Sequence, residues 1–550
     1  MCADLFRLNN LRIAYPQAET DPQTVHWSVD DVSISLNPGD RLGLVGESGC
    51  GKSTLGRAAM RLLPRGTQVE GSVYFKGESV FELTTSQLRE FRGEVVALVF
   101  QDPMTRLDPL MTIGEHCLET VLAHNPQLSK AAAKEKAVQT LAAVKIPADR
   151  WNQYPHEFSG GMRQRVAIAL ALVLNPKVIV ADEPTTALDV TVAAEILQEL
   201  TRLCTERGVG LLLISHDLAM VGQYCDRLAV MYQGKLVETG NAKEIFRNPQ
   251  HPYTQSLLTA ALHISVDEEA PLIEEISSAP ILLEAKELQQ HYVLESNFLQ
   301  QLLGGGKQVI KAVDNVNFSL YKGEILGLVG ESGCGKSTLS RTLLQLVRPT
   351  YGQVIFADQD LAALPENQLR PLRRELQMVF QDPHACLNPR MNVAESIADP
   401  LIVHGLATPE RAQVKVSEML TRVGLTPIEE YSKRYPKDLS GGQQQRVAIA
   451  RALITHPQLV ICDEPVSMLD ASVQSQVLEL MLELKEEFDL TYLFITHDLW
   501  VARFFCDRIA VMNKGQIVEL GPTEQIFRQP QDPYTQSLLK AAPLLDFASP

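Results

Sequence analysis

The chain has 550 residues, 45% hydrophobic and 21% charged, enough apolar material for two or more packed cores and too much for a disordered protein. A formal net charge of −16, with no dense Lys/Arg block in either half, offers no electrostatic footprint for nucleic acid. The longest apolar run, Val166–Leu174, falls far short of the ~20 residues that span a bilayer. The opening MCADLFRLNN lacks the basic region and apolar stretch of a secretory signal, so the chain is expected to stay where it is made. Nine cysteines without a C-x-x-C pair fit free thiols in a reducing compartment.

In chain order, the first strong signal is GESGCGKST, formed by Gly46, Glu47, Ser48, Gly49, Cys50, Gly51, Lys52, Ser53 and Thr54. It follows a run of buried-strand length, Arg41–Val45, and precedes helical spacing from Ser53 to Leu63. That context makes it a phosphate-binding loop, in which backbone N–H groups and a helix N-terminus receive phosphate oxygens. Lys52 is placed to reach the β and γ phosphates, and Ser53 to hold Mg²⁺. Further on, the apolar run Val178–Ala181 ends in Asp182 and Glu183, read as a Mg²⁺ carboxylate and a residue that polarises the attacking water. His216 follows another buried-strand run, LLLIS, and is read as a γ-phosphate contact.

All of this recurs. Gly330, Glu331, Ser332, Gly333, Cys334, Gly335, Lys336, Ser337 and Thr338 repeat the nine-residue loop, between a strand run starting at Ile325 and helical spacing from Ser337 to Leu346. Asp463, Glu464 and His497 repeat the acids and the imidazole, and from SGG at Ser159 and Ser440 onward the two copies keep one constant offset. Such spacing indicates domain duplication and not a short-period solenoid. Residues 265–280, SVDEEAPLIEEISSAP, read as an acidic, Pro-broken linker. Residues 293–309 have no counterpart of equal length in the first half, and fit either a loop insertion or a short helix from Leu299.

FSGGMRQR (158–165) and LSGGQQQR (439–446) resemble the signature loop of ATP-binding cassette proteins, which ordinary P-loop ATPases lack. The resemblance covers nearly the whole chain. It implies an α/β fold of two tandem P-loop NTPase domains, 1–264 and 281–550, each with a RecA-like core, an antiparallel β subdomain and a helical subdomain. It also implies ATP and Mg²⁺ as cofactors, with Gln101 and Gln381 as the glutamine loops that sense Mg²⁺ and touch a membrane subunit. Asp189 and Asp470 match the D-loop. Tyr15 and Tyr292 fall where an aromatic ring stacks on adenine, with a core tyrosine as the other reading. In this family ATP lies between the phosphate loop of one cassette and the signature of the other. Lys52 is thus expected to share a nucleotide with Ser440, Gly441 and Gly442, and Lys336 with Ser159, Gly160 and Gly161. The linker would make this pairing intramolecular. Phe158, Met162 and Met468 depart from the family pattern without removing a phosphate-contacting group, so two working sites are expected.

HPYTQSLL (251–258) and DPYTQSLL (532–539) resemble the tail of ATPases serving dipeptide, oligopeptide, nickel and glutathione importers, as do the extended QDPMTRLDP and QDPHACLNP segments. The resemblance implies a peripheral ATPase on the cytoplasmic face of the inner membrane, with two integral-membrane permeases and an extracytoplasmic substrate-binding protein. Short peptides are the expected cargo, with glutathione, nickel chelates or opines left open. Some relatives hold an iron–sulfur cluster in the tail, but no Cys lies beyond Cys506 or between Cys225 and Cys334, so none is expected. A soluble twin-cassette translation factor is the alternative of another class. Such proteins usually have a long charged helical linker and basic arms, and DNA-repair cassettes a coiled-coil or zinc insertion; neither pattern is present.

Overall fold

A computed structural model of the chain describes residues 5–16, 25–103, 106–186, 188–263, 279–294 and 308–542. Residues 265–278 of the expected linker, and 295–307 with the candidate helix at Leu299, lie outside the described residues. The chain divides into two compact units, one ending at Leu262 and one running His263–Ala542.

In the first unit an antiparallel sheet is built from β1 (Phe6–Ala14), β2 (Val29–Leu36), β4 (Gln68–Phe75) and β5 (Glu78–Ser79), in the order β2-β1-β4-β5. The second sheet contains β3 (Arg41–Val45), β6 (Val96–Val99), β7 (Val178–Asp182), β8 (Gly210–Ile214), β9 (Arg227–Tyr232) and β10 (Lys235–Asn241). Its order is β10-β9-β3-β8-β7-β6, parallel except for β10. The second unit repeats the plan. β11 (Ile281–Leu294), β12 (Gln308–Tyr321), β14 (Tyr351–Phe356) and β15 (Gln359–Asp360) form its antiparallel sheet. β13 (Ile325–Val329), β16 (Leu376–Val379), β17 (Leu459–Asp463), β18 (Thr491–Thr496), β19 (Arg508–Asn513) and β20 (Gln516–Pro522) form the other, in the order β16-β17-β18-β13-β19-β20.

The parallel strands read as continuous apolar runs because both of their faces are covered. Val178 and Val180 of β7, with Leu212 and Ile214 of β8, pack into one core with the antiparallel sheet. Their neighbours Ile179, Ala181, Leu211 and Leu213 pack into the other core, against the helices. Each buried Val, Leu or Ile side chain contributes about 1.5–3 kcal/mol relative to exposure, so the register of these strands is fixed by both faces at once. A helical layer, Ile113–His124, Lys130–Ala143 and Gly160–Leu172, is inserted between β6 and β7. Val393–Val403, Pro409–Arg422 and Gly441–Leu453 are its counterparts in the second unit. The apolar run Val166–Leu174 lies in and just after Gly160–Leu172, and among the described residues no helix is long and apolar enough to cross a membrane.

The expected α/β architecture is therefore present in both units, with β3, β7 and β8, and β13, β17 and β18, at the predicted positions. The helices after the phosphate loops are shorter than their apolar spacing suggests: Lys52–Ala59 and Lys336–Leu343, not to Leu63 and Leu346. Arg61 and Gln345 both have a φ of 54°, and the N–H of the next residue reaches back to Arg57 and Arg341 at 2.8 and 2.9 Å. That left-handed closure caps the helix without glycine, and spacing alone does not reveal it.

Candidate active sites

Because β3, β8, β7 and β6 are parallel neighbours, their carboxyl ends open on one edge of the sheet, where ligands bind in open α/β folds. The phosphate loop follows β3, His216 comes two residues after β8, Asp182 ends β7 with Glu183 next, and Gln101 lies two residues past β6. Residues scattered over more than a hundred positions thus share one edge. The second unit does the same with β13, β18, β17 and β16.

Within the loop, Lys52 is almost fully buried, and its ammonium donates to the carbonyls of Gly46 at 2.6 Å and Glu47 at 2.9 Å. Lys336 repeats this with Gly330 at 2.7 Å and Glu331 at 3.0 Å. Gly46 has a φ of 151°, and a Cβ there would sit 2.2 Å from the Met231 carbonyl, so no larger residue fits the turn. Ser53 Oγ donates to Asp182 at 2.8 Å, and Ser337 Oγ to Asp463 at 3.3 Å. Burial pushes both aspartates above the ordinary carboxylate value, against the opposing pull of those serines. A divalent cation beside them would offset that burial, and hydroxyl, amide and carboxylate oxygens are the donor set Mg²⁺ takes. Ser53, Asp182 and Gln101, with Ser337, Asp463 and Gln381, therefore fit such an ion.

The next acid is held differently. Gln101 donates to Glu183 at 2.7 Å, Thr186 donates to it at 3.0 Å, and His216 Nδ1 lies 3.4 Å away. In the second unit, Gln381 donates to Glu464 at 2.8 Å and His497 Nδ1 lies 3.1 Å away. Burial pushes these glutamates up, but the histidines, with their hydrogen bond and charge, bring both below the ordinary value. Burial likewise works against charge on His497, yet Glu464 raises its imidazole above the usual range. Glu183 and Glu464 have φ of 46° and 49°, and each N–H donates to the neighbouring strand, to Ile214 and Ile495 at 2.9 Å. An ionised, buried carboxylate flanked by an imidazole is suited to orienting water.

Tyr15 hydrogen-bonds Thr54 at 3.0 Å, at the start of the loop helix. Tyr292 lies in β11 and is 40% exposed. Phe6 faces Phe75 and Leu283 faces Phe356, so counting along β1 and β11 puts Tyr292 at the position of Tyr15. Ser159 and Ser440 belong to the helical layer instead, where each caps a helix, Gly160–Leu172 or Gly441–Leu453. Gln443 completes a reciprocal cap with Ser440 at 3.3 and 3.0 Å, and Met162 cannot do so with Ser159. A Cβ on Gly161 would meet Val192 at 2.3 Å, and one on Gly442 would meet Val473 at 2.4 Å, so these glycines let two helices approach. Asp189 and Asp470 occupy the N-cap positions of those partner helices, Val190–Arg207 and Ala471–Phe488. Asp382 caps the short helix Pro383–Cys386 beyond Gln381.

The ABC transporter family matches residues 29–186 and again 313–467. The chain belongs to that family. Each cassette is followed by the C-terminal region of oligopeptide/dipeptide transporters, at residues 237–287 and 518–550. The glutathione import ATP-binding protein GsiA of Salmonella choleraesuis is 43% identical, aligned over 99% of this chain and 90% of its own. GsiA of Escherichia coli strain K12 is 42% identical with the same coverage. Among solved structures, the dimeric post-hydrolysis state of the cassette MJ0796 bound to ADP and Pi is 31% identical, covering 44% of this chain and 99% of its own, at a TM-score of 0.39. The twin cassettes are ATP-hydrolysing domains.

Sequence reasoning missed a group on the tail helices. Tyr253 and Tyr534, in HPYT and DPYT, accept hydrogen bonds from the N–H groups of Glu47 and Glu331, at 3.1 and 3.2 Å. The signal was available: the tyrosine recurs in both tails. The repeated octapeptide read only as a family marker because its target is 206 residues away.

Proposed function

We propose that the chain is the ATPase subunit of an importer for short peptides, acting on the cytoplasmic face of the membrane with two integral-membrane permeases and an extracytoplasmic binding protein. The observation that carries this reading is the oligopeptide/dipeptide C-terminal region following each of the two cassettes. Relatives named for glutathione import, 43% identical over 99% of the chain, favour glutathione, itself a tripeptide, as the second cargo to test.

In this reading Lys52 and Lys336 bind the terminal phosphates, Glu183 and Glu464 orient the attacking water, and His216 and His497 hold those glutamates while facing the γ-phosphate. Mg²⁺, held by Ser53, Asp182 and Gln101 or by Ser337, Asp463 and Gln381, would supply neutralisation of phosphate charge. Each nucleotide is shared, Lys52 with Ser440 and Lys336 with Ser159, so closing and reopening of the pair drives transport.

Tagged full-length chain, expressed with its neighbouring genes, is expected to co-purify with two integral membrane proteins. In proteoliposomes, ATP turnover should rise with the binding protein loaded with dipeptides, tripeptides or glutathione. Sedimentation with ribosomes and no membrane protein in the eluate would overturn the importer reading in favour of a translation factor.

A further inference from the structure

The Gly46–Glu47 peptide is gripped on both sides. Its carbonyl accepts from the Lys52 ammonium at 2.6 Å, and its N–H donates to the Tyr253 hydroxyl at 3.1 Å. In the other unit the Gly330–Glu331 peptide is held in the same way, by Lys336 at 2.7 Å and Tyr534 at 3.2 Å. Two separately built units thus arrive at one arrangement.

Docking of the tail does not require that hydroxyl. The carboxylate of Glu238 on β10 takes the N–H groups of Gln250 and His251 at 2.9 and 3.1 Å, and Glu519 on β20 takes those of Gln531 and Asp532 at 2.8 and 3.1 Å. His251 and Asp532 then accept the N–H of each tyrosine, at 3.2 and 2.8 Å, setting the first turn of the helix. The tyrosine–tyrosine stack of the first unit is not shared either. Tyr253 stacks on Tyr232 with centroids 4.1 Å apart, whereas the strand register places Asn513 at the position of Tyr232. Both units do share the hydroxyl on the loop peptide. That peptide follows a glycine with a φ of 151° or 154°, free of the Cβ that would hinder rotation, and rotating it would turn the carbonyl away from the lysine.

We propose that Tyr253 and Tyr534 are positioning residues for nucleotide binding: each hydroxyl fixes the peptide that parks the phosphate-loop lysine, so the tail helix sets the shape of the phosphate cradle. This rests on reading GESGCGKS as the ATP-binding loop. Tyr→Phe keeps the ring and removes the hydroxyl that makes the clamp.

The test uses the full chain carrying Tyr253→Phe, Tyr534→Phe or both, with ATP hydrolysis, MgATP and MgADP binding, and melting temperature measured together. A lost hydrogen bond of ordinary net strength predicts that the double variant raises KM for ATP and both Kd values about threefold to tenfold. kcat should stay within about twofold. Unchanged KM and Kd overturn the proposal whatever happens to the melting temperature, as does a fall in kcat at constant KM. Lys52→Ala/Lys336→Ala is measured alongside. If that variant binds MgATP like wild type, the loop reading falls and the clamp with it; if only the tyrosine variants are neutral, the clamp alone falls.

Discussion

Gln101 Nε2 donates to Glu183 Oε2 at 2.7 Å, and Gln381 repeats the bond to Glu464 at 2.8 Å. The glutamines follow the edge strands β6 and β16, and the glutamates come one residue after the neighbouring strands β7 and β17. One hydrogen bond therefore ties the start of the inserted helical layer to the glutamate proposed to orient water. A shift of that layer would be felt directly at the carboxylate.

Glu183→Gln and Glu464→Gln keep the shape of each side chain and remove its charge. Each is expected to depress ATP turnover, and the double variant to lose about 10²–10⁴-fold, the range for a positioned general base. Phosphate release reads the rate, and ATP retained through gel filtration reads the accumulated closed form. Near-normal turnover in the double variant would refute the catalytic role.

The Glu464–His497 pair predicts a pH window. Glu464 has a lowered pKa, so its contribution is present above the unfolded value near ~4.3 and is lost as pH falls through the folded one. His497 has a raised pKa, so its contribution is complete below the unfolded value near ~6.5 and is lost as pH rises through the folded one. The melting-temperature deficit of Glu464→Gln should therefore be largest between about pH 4.5 and 6.5 and shrink above it. With His497 about one-third exposed, the deficit is expected to be small, on the order of 1–2 °C. A deficit that grows with rising pH would contradict the pairing.

Gly161→Ala puts a methyl group 2.3 Å from Val192 Cγ1. Overpacking there should cost about 1–3 kcal/mol and lower the melting temperature. Adding Val192→Ala should recover most of the loss, because it removes the atom that clashes. Gly442→Ala with Val473→Ala is the matching pair in the second unit. Absence of rescue in both units would mean that the glycines serve something other than helix approach.

Glu238→Ala removes the acceptor for two backbone N–H groups of the first tail. Loss of charged hydrogen bonds of this kind predicts about 1–3 kcal/mol of local destabilisation. Limited proteolysis should then cut near residues 248–263 faster than in wild type, with cleavage elsewhere unchanged. An unaltered cleavage pattern would show that the tail is held by other contacts.

The sequence by itself determined the chemistry and the duplication. Lys52, Asp182, Glu183 and His216 carry local signals, since glycines, buried runs and turn-ending acids are read within a few residues, and a second copy at constant spacing removes coincidence. It also located the central strands β3, β7 and β8, with β13, β17 and β18, because burial on both faces leaves continuous apolar runs. It did not determine where the helices after the phosphate loops stop, since Arg61 and Gln345 close them in a left-handed conformation more typical of glycine. Nor did it reveal Tyr253 on Glu47, Gln101 on Glu183, or Glu238 under the tail. Those pairings depend on strand order, and the sheet order β10-β9-β3-β8-β7-β6 is not the chain order. Only folding brings four strand ends and a distant tail helix to one edge, because hydrogen bonds between side chains far apart in sequence leave no periodic trace along the chain.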